Sequence, residues 1–301
     1  MKAIDTTWKL KNGREIPSLG LGFWQVSRED AERVVREGFE SGYRHIDTAI
    51  AYGNEEEIGM ALAKSSLPRE AYFLTSKIPA QVKTYEEAKQ AILDSLTRLR
   101  TPYLDLMLIH APKPWSEMRD PSKPYRYEKE NVEVYRAMEE AHKEGKILSL
   151  GVSNFNVHDM QNIMNHATVP LMVNQIPCYI GNVDDEVIAF AKRNGILIEG
   201  YSPLATGQLV HHPEVQKIAE KYGATIPQVC IRFVYQLGAL PLPKTTHKEF
   251  MESNAKIDFA LSPEDMTILK NISFQRLPTK YSWISPPRRY RRGHLAQSWN
   301  G

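Results

Sequence analysis

The sequence has 301 residues, of which 42% are apolar and 25% are charged, and its formal net charge at pH 7 is +2. This composition is ordinary for a globular protein, and the small charge gives no reason to expect a nucleic acid or an anionic membrane as a partner. The length permits either two ordinary domains or one large α/β barrel.

The first residues, Met1 to Trp8, lack an apolar core of signal-peptide length. No later stretch reaches the ~18 apolar residues that a membrane span needs. Cys178 and Cys230 are the two cysteines, too few and too isolated for a disulfide framework or a metal knuckle. We therefore expect a cytoplasmic protein with reduced cysteines, no metal site and no membrane partner.

The predicted elements begin with a hairpin within residues 1–18, because Asn12-Gly13 stands between two short β-prone runs. Short apolar runs then alternate with amphipathic segments, which predicts parallel strands joined by helical crossovers. The eight apolar runs are Leu19 to Phe23, Tyr43 to Asp47, Tyr72 to Lys77, Leu104 to His110, Ile147 to Ser153, Leu171 to Gln175, Ile196 to Tyr201 and Leu240 to Lys244.

Eight strand-helix units favour a closed (β/α)8 barrel over an open doubly wound sheet. The turn from Gly20 to Gln25 also lacks the third glycine of a dinucleotide-binding fold. We expect one domain over residues 1–301, with a long proline-containing functional loop at 111–127 beside the substrate. The tail at 273–301 has no helical period, and we expect it to wrap the surface or the barrel mouth.

Several helix starts are visible in the sequence. Glu87 stands three residues after Thr84, and Gln228 stands three residues after Thr225, and both pairs fit the capping box. A serine precedes two further amphipathic segments in the same way, and these serines are Ser27 and Ser262.

Seven of the eight predicted strands end in a polar group. In a barrel of this kind the carboxyl ends of the strands form one rim, where active sites lie. Each group alone has an ordinary structural explanation, but their convergence predicts a site. The groups are Asp47, Lys77, His110, Ser153 with Asn154, Gln175, Tyr201 with Ser202, and Lys244.

Four of the residues near this rim make chemical sense together. A tyrosine has an ordinary pKa of ~10, so Tyr52, in the loop after Asp47, needs help to donate a proton. A nearby Lys77 ammonium would lower that pKa, and the Asp47 carboxylate would hold the ammonium charged and in place. A neutral His110 could orient a substrate carbonyl. The group suits protonation of an oxygen on which negative charge develops.

These residues stand in longer stretches that follow one another along the chain. The stretches are Lys11-Asn12-Gly13, Leu19-Gly20-Leu21-Gly22-Phe23-Trp24, Asp47-Thr48-Ala49 with Tyr52 and Asn54-Glu55, Thr75-Ser76-Lys77, Asp105 to His110, Gly151-Val152-Ser153-Asn154-Phe155, Asn174-Gln175, Tyr201-Ser202-Pro203-Leu204 and Pro243-Lys244-Thr245. In their order and spacing the sequence resembles the aldo-keto reductase family over nearly its whole length. The four catalytic positions of that family fall on Asp47, Tyr52, Lys77 and His110 without substitution.

The resemblance implies NADPH-dependent reduction of an aldehyde or ketone to an alcohol, with Tyr52 as the general acid. It implies that Ser153, Asn154 and Gln175 bind the nicotinamide carboxamide and that Tyr201 stacks against the ring. The full set of implied cofactor residues is Gly22, Phe23, Trp24, Asp47, Ser153, Asn154, Gln175, Tyr201, Ser202, Leu204, Lys244, Thr245 and Asn254. The implied substrate pocket consists of Trp24, Tyr52, His110 and Trp115.

The sequence departs from the family pattern at two places. Phe250 stands where many NADPH-dependent relatives carry an arginine that grips the extra phosphate, so NADH is also possible as the cofactor. Ala111 follows His110 where relatives often have tryptophan, and the nearest tryptophan is Trp115. We therefore expect a pocket that is less aromatic than in those relatives.

The expected partner is a small-molecule carbonyl substrate, and the protein is expected to be a monomer or a weak homo-oligomer. An alternative is a cofactor-binding regulatory protein on the same scaffold with little turnover. A metal-dependent barrel hydrolase is disfavoured, since no His-x-His pair ends an early strand.

Overall fold

The computed structural model describes residues 2–118 and 127–273. Its chain begins with two antiparallel strands, β1 (Thr7–Lys9) and β2 (Glu15–Pro17), in which Trp8 lies opposite Ile16. Gly13 turns between them at a φ of 85°, a left-handed conformation that glycine adopts without strain. The predicted N-terminal hairpin is confirmed.

Eight parallel strands follow, and each pairs with the next along the chain. Backbone hydrogen bonds from Gly20 N to Pro241 O (3.2 Å) and from Gly22 N to Pro243 O (2.9 Å) join the first strand to the last. The predicted (β/α)8 barrel is therefore confirmed. The strands are β3 (Leu21–Gly22), β4 (His45–Asp47), β5 (Phe73–Ile78), β6 (Leu106–Ile109), β7 (Leu150–Ser153), β8 (Val173–Pro177), β9 (Leu197–Tyr201) and β10 (Ala239–Leu242).

Helices connect the strands and cover the outside of the barrel. In the described part of the chain, six of them lie between β3 and β9, two lie in the connection from β9 to β10, and two more follow the last strand. The helices are α1 (Arg28–Glu40), α2 (Glu55–Lys64), α3 (Tyr85–Arg98), α4 (Glu128–Lys143), α5 (Val157–His166), α6 (Asp185–Arg193), α7 (Pro213–Lys221), α8 (Ile226–Gln236), α9 (Lys248–Asn254) and α10 (Pro263–Asn271). None of the helices in the described part of the chain has both the length and the apolar character for a membrane crossing.

The predicted helix starts are found, with one difference. Ser27, Ser262 and Thr225 accept from a backbone N–H in the first turn, and at Thr225 the Gln228 side chain returns the bond, which completes the capping box. At Thr84 the hydroxyl accepts from Glu87 N, but the Glu87 carboxylate accepts from that same hydroxyl instead of from the Thr84 N–H. The box predicted at Thr84 is therefore half formed.

The two ends of the barrel differ in polarity. Leu10 and Ile16 of the hairpin pack with Phe73, Leu106 and Leu240 in an apolar cluster inside the barrel. This packing closes the amino-terminal end, and the polar strand ends gather at the opposite rim. Part of the long loop, 119–126, and the tail from 274 onwards lie outside the described residues.

Two helical glycines allow a matched test of packing. A Cβ on Gly59 of α2 would lie 2.2 Å from the backbone oxygen of Arg98 at the end of α3, whereas one on Gly38 of α1 would meet a methyl of Leu21. A backbone carbonyl cannot move aside as a leucine methyl can. We expect Gly59→Ala to lower the free energy of unfolding by about 1–3 kcal/mol.

Gly38→Ala is the control. It carries the same gain in helix propensity, about 1 kcal/mol, so its free energy of unfolding should stay within about 1 kcal/mol of the wild type. Urea unfolding of the three proteins measures the difference, and equal losses in both variants would contradict the packing argument.

Candidate active site

Adjacent strand ends deliver the first group of side chains. Asp47 is the last residue of β4, Lys77 lies one residue before the end of the neighbouring β5, and His110 follows β6 directly. Tyr52 ends a short helical turn between β4 and α2. Since β4, β5 and β6 are parallel and paired in this order, their carboxyl ends bring these four residues together.

Lys77 is at the centre of this group and is fully buried. Its Nζ donates to Asp47 Oδ1 at 2.7 Å and to Thr48 O at 2.8 Å, and lies 3.4 Å from the hydroxyl of Tyr52. These three acceptors match the three protons of an ammonium. The Tyr52 hydroxyl accepts from Lys77 and, within the described residues, donates to no group. Its proton is therefore available to a molecule beside it.

The charges of this group follow from its burial. Desolvation alone would lower the pKa of Lys77, but Asp47 and Tyr52 outweigh it, and the pKa is raised. Burial raises the pKa of Tyr52 above its ordinary value, although Lys77 acts in the opposite direction. Lys77 lowers the tyrosine pKa as the sequence suggested, but desolvation exceeds this effect, so the pKa is raised overall. Tyr52 keeps its proton at neutral pH.

His110 is buried, and burial followed by the charge of Lys77 holds its pKa well below the ordinary value. It is therefore neutral, as expected. Its ring makes edge contacts with Tyr52 (centroids 5.6 Å apart) and with Trp115 (5.2 Å). Although the tryptophan does not follow His110 directly in the sequence, the short turn Trp115–Glu117 still brings an indole beside it.

These side chains open into a cavity of about 550 Å³. Most of the predicted site residues line it: Gly22, Trp24, Asp47, Tyr52, His110, Trp115, Ser153, Asn154, Gln175, Tyr201, Ser202, Leu204 and Lys244. Lys77 lies behind Asp47 and Tyr52 and does not line it.

Three other predicted cofactor residues are not in the cavity wall. The side chain of Phe23 is fully buried in the hydrophobic core, while its backbone N–H donates to Asp47 O and its backbone oxygen accepts from Asn54 Nδ2. The role of Phe23 in cofactor binding stays a prediction. Thr245 and Asn254 are buried beside the loop that follows β10, where Thr245 Oγ1 accepts from His247 N. Their roles stay predictions.

A hydrogen-bonded wall forms one side of the cavity. Asn154 Nδ2 donates to His110 O (3.0 Å) and to Ser153 Oγ (3.0 Å), and Asn154 Oδ1 accepts from the Tyr201 hydroxyl (2.8 Å). Ser153 Oγ donates to Gln175 O at 2.9 Å. Four strands thereby hold their polar ends in fixed positions, which is the requirement for recognising a flat polar ligand.

One buried acid at the site was missed by the sequence reasoning. Glu199 of β9 is fully buried, and its Oε2 lies 2.8 Å from Gln175 Nε2. Burial raises the pKa of its carboxyl, and the charge of Asp47 adds to the effect. The available signal was a charged residue inside the apolar run from Ile196 to Tyr201. An acid buried in a strand needs a partner, and here the partner is Gln175.

Backbone strain is concentrated at the same cavity. Among the described residues other than glycine, six have a positive φ, and four of these line the cavity: Gln25 (61°), Asn154 (64°), Ser202 (53°) and Thr206 (56°). Such conformations persist where the surroundings impose them, and they are frequent at functional sites. The residue types gave no signal of this in the sequence.

A basic edge lies where β10 ends. Lys244 stands at the exposed rim of the cavity, and Arg33 of α1 donates to Thr246 O at 2.8 Å, which holds the following loop. Phe250 is 54% exposed, and its ring lies 5.4 Å from that of His247. The cavity thus has a polar wall that includes Gln175 and a cation at its rim, a set that fits a phosphate-bearing nicotinamide cofactor. Residues 2–118 and 127–273 contain no group of three or more histidine, cysteine or acidic side chains arranged for a metal ion.

Comparison with known proteins places this site in a family. The profile of the Aldo/keto reductase family matches residues 7–273. A glyoxal reductase of Bacillus subtilis is 38% identical over 266 residues, which cover 88% of this chain and 91% of that protein. The crystal structure of an aldo/keto reductase from Brucella melitensis is similar, with a TM-score of 0.80 and 35% identity over 88% of this chain and 98% of that one. A Bombyx mori aldo-keto reductase in complex with NADP has a TM-score of 0.79 and 27% identity over 92% and 96% of the two chains.

The stability of the protein should depend on pH because of His45, a fully buried residue two positions before Asp47. Burial followed by the charge of Lys77 lowers its pKa from 6.5 to about 3. Between these values the unfolded chain binds a proton that the folded chain does not, so the free energy of unfolding falls as the pH falls. The slope from one such group is about 1.4 kcal/mol per pH unit.

We expect His45→Gln, which can keep the bond to Thr75 Oγ1 (3.0 Å), to lose that part of the slope. Urea unfolding at pH 6.5, 5.5 and 4.5 measures this slope. His110 is present in both proteins, so its own contribution to the slope is the same in each. Parallel stability curves for the wild type and the variant would show that His45 does not titrate in this way.

Proposed function

Because this chain belongs to the aldo/keto reductase family, we propose that it reduces the carbonyl group of a small aldehyde or ketone to an alcohol with a nicotinamide cofactor. The observation that carries the proposal is the contact of Lys77 Nζ with both Asp47 (2.7 Å) and the Tyr52 hydroxyl (3.4 Å) at the wall of a 550 Å³ cavity. A protonated tyrosine next to a fixed ammonium is a proton donor for an oxygen that gains negative charge.

The residues act in the following way. When bound, the reduced nicotinamide supplies the hydride. Tyr52 donates its proton to the carbonyl oxygen, and the positive charge of Lys77 stabilises the phenolate that remains on the tyrosine. Asp47 keeps Lys77 protonated and in place. Neutral His110 hydrogen-bonds the carbonyl and orients it toward Tyr52.

The hydrogen-bonded wall beside these groups would hold the cofactor. Ser153, Asn154 and Gln175 would hold the carboxamide, and the ring of Tyr201 would hold the nicotinamide ring. Lys244 binds phosphate at the rim of the cavity. We favour NADPH over NADH because a cation remains at this rim, and Phe250 in place of an arginine makes the preference weaker than in relatives that have the guanidinium.

The substrate class we propose is small reactive aldehydes, including dicarbonyls. The similar protein from Bacillus subtilis is a glyoxal reductase by name. The cofactor and the substrate share one cavity, and the indoles of Trp24 and Trp115 stand in its wall. The remaining space suits a compact substrate. We further propose that the barrel acts as a single domain in the cytoplasm, as a monomer or a weak homo-oligomer.

Replacement of Tyr52 tests the reaction. We expect Tyr52→Phe to lower turnover of glyoxal and methylglyoxal at least about 100-fold, because the proton donor is lost while the ring remains. Oxidation of NADPH is followed by its absorbance, and cofactor binding is measured separately and should be unchanged. Tyr85→Phe, on α3 and bonded to Glu140 on the outside of the barrel, is the control and should keep wild-type turnover.

A wild type that binds NADPH tightly but oxidises it with none of an aldehyde, keto-acid, keto-sugar and ketosteroid panel would support the alternative, a cofactor-binding regulatory protein. Turnover that survives in Tyr52→Phe would show that the proton comes from another group.

Phe250 provides a test of cofactor preference. Phe250→Arg places a guanidinium in the first turn of α9, six residues after Lys244, and a charge-assisted phosphate contact should raise the ratio of kcat/KM for NADPH to that for NADH about tenfold. Phe250→Ala removes the ring without adding a charge and should leave the ratio close to the wild-type value. A ratio that does not rise in Phe250→Arg would place the phosphate away from this residue.

A further inference from the structure

Glu199 and Asp47 hold the side-chain amide of Gln175 between them. Gln175 Nε2 lies 2.8 Å from Asp47 Oδ2 and 2.8 Å from Glu199 Oε2. All three side chains are buried, with at most 4% exposure. An amide nitrogen has two protons, and both are used here.

This arrangement determines which end of the Gln175 amide faces the cavity. Among residues 2–118 and 127–273 no group donates to Gln175 Oε1, and Gln175 lines the cavity. In the opposite orientation Oε1 would face a carboxyl oxygen on each side, and acceptors without a shared proton repel one another. The two acids therefore present Oε1 to the cavity as a hydrogen-bond acceptor.

Asp47 alone would hold the amide less firmly. Its other oxygen, Oδ1, is bound to Lys77, so Asp47 offers Gln175 a single acceptor. The last torsion of a glutamine side chain is broad and weakly preferred, which means that one bond leaves the amide free to rock about it. The second bond, to Glu199, fixes the plane of the amide as well as its direction.

The position of Glu199 is costly for the fold. Its Oε1 has no hydrogen-bond partner in the described structure, and the nearest basic group is His45 Nε2 at 3.9 Å. A buried carboxyl with one oxygen unpaired disfavours folding. Burial raises the pKa of this carboxyl, which is a further sign that its surroundings disfavour a charge. A carboxyl that is buried despite this free-energy cost points to a functional role, and the bond to Gln175 Nε2 provides one.

We propose that Glu199 is a positioning residue for the cofactor: it fixes the Gln175 amide so that Oε1 accepts from the carboxamide N–H of the nicotinamide. The inference rests on the proposed function, since it takes Gln175 to bind that carboxamide. The orientation of the carboxamide decides which face of the ring points toward Tyr52, so Glu199 acts on both affinity and the face of hydride transfer.

Glu199→Met tests this, because methionine has a similar volume but no acceptor. We expect the Kd for NADPH, measured by quenching of tryptophan fluorescence, to rise about tenfold. The face of transfer is measured with NADPH deuterated at one or the other C4 position. The variant should transfer a larger share of its hydride from the face of the ring that the wild type does not use. Glu199→Gln keeps an oxygen toward Gln175 and should restore both values.

Glu139→Gln is the matched control. Glu139 is also a buried acid, but it accepts from the N–H groups of Thr168 and Val169 away from the cavity. This variant should lose thermal stability with the wild-type Kd and the wild-type face of transfer. Glu199→Asp withdraws the carboxyl by one methylene, so its Kd and its face of transfer should change as in Glu199→Met. This variant tests the role of Glu199 if the methionine variant does not fold.

A wild-type Kd and a wild-type face of transfer in the folded methionine or aspartate variant would overturn the role of Glu199. That result leaves the proposed function intact, since the wild type still binds and turns over. A wild type that binds neither NADPH nor NADH would instead contradict the proposed function itself.

Discussion

The buried ion pair between Lys77 and Asp47 is the interaction on which the site depends. Placing two charges inside a protein costs several kcal/mol for each ion unless the geometry is nearly ideal. Lys77 meets this condition, because each proton of its ammonium faces an acceptor. The pair also controls its neighbours. The same positive charge lowers the pKa of His110 and of His45 and opposes the rise at Tyr52, so one buried cation influences the proton on three other groups.

The barrel makes such a pair possible by separating its two ends. Strands β4 and β5 lie side by side, with Asp47 opposite Thr75 in register, so that Asp47 and Lys77 extend toward the same rim. At the other end the hairpin residues Leu10 and Ile16 fill the barrel with apolar side chains. Water is thereby excluded from below, while the rim keeps an opening for a ligand. The low polarity beneath the pair strengthens every electrostatic contact above it.

Much of the fold and of the site could be predicted because both depend on local patterns. The apolar runs mark all eight strands, and Asp47 and Lys77 are visible as polar residues at the ends of two of them. Effects that depend on contacts across the barrel could not be seen. Glu199 stands inside an apolar run, and nothing near it in the sequence points to Gln175 as its partner. The balance between burial and charge at Tyr52 likewise depends on how deeply the ring lies, which a sequence does not contain.

The two sides of the cavity differ in the elements that supply their side chains, since one side is formed by strand ends and the other by connections. On the side where we propose that the cofactor binds, Asn154 is held in a left-handed conformation at a φ of 64° while its amide binds His110 O and the Tyr201 hydroxyl. Its backbone strain is balanced by bonds to the ends of β6 and β9, so this wall is rigid before any ligand arrives. On the side where we propose that the substrate binds, Trp24 and Trp115 come from connections and not from strands. Residues in connections can change without disturbing the barrel. With the function proposed above, variation in these loops would alter which carbonyl is reduced, while Tyr52 and the wall around Asn154 stay the same.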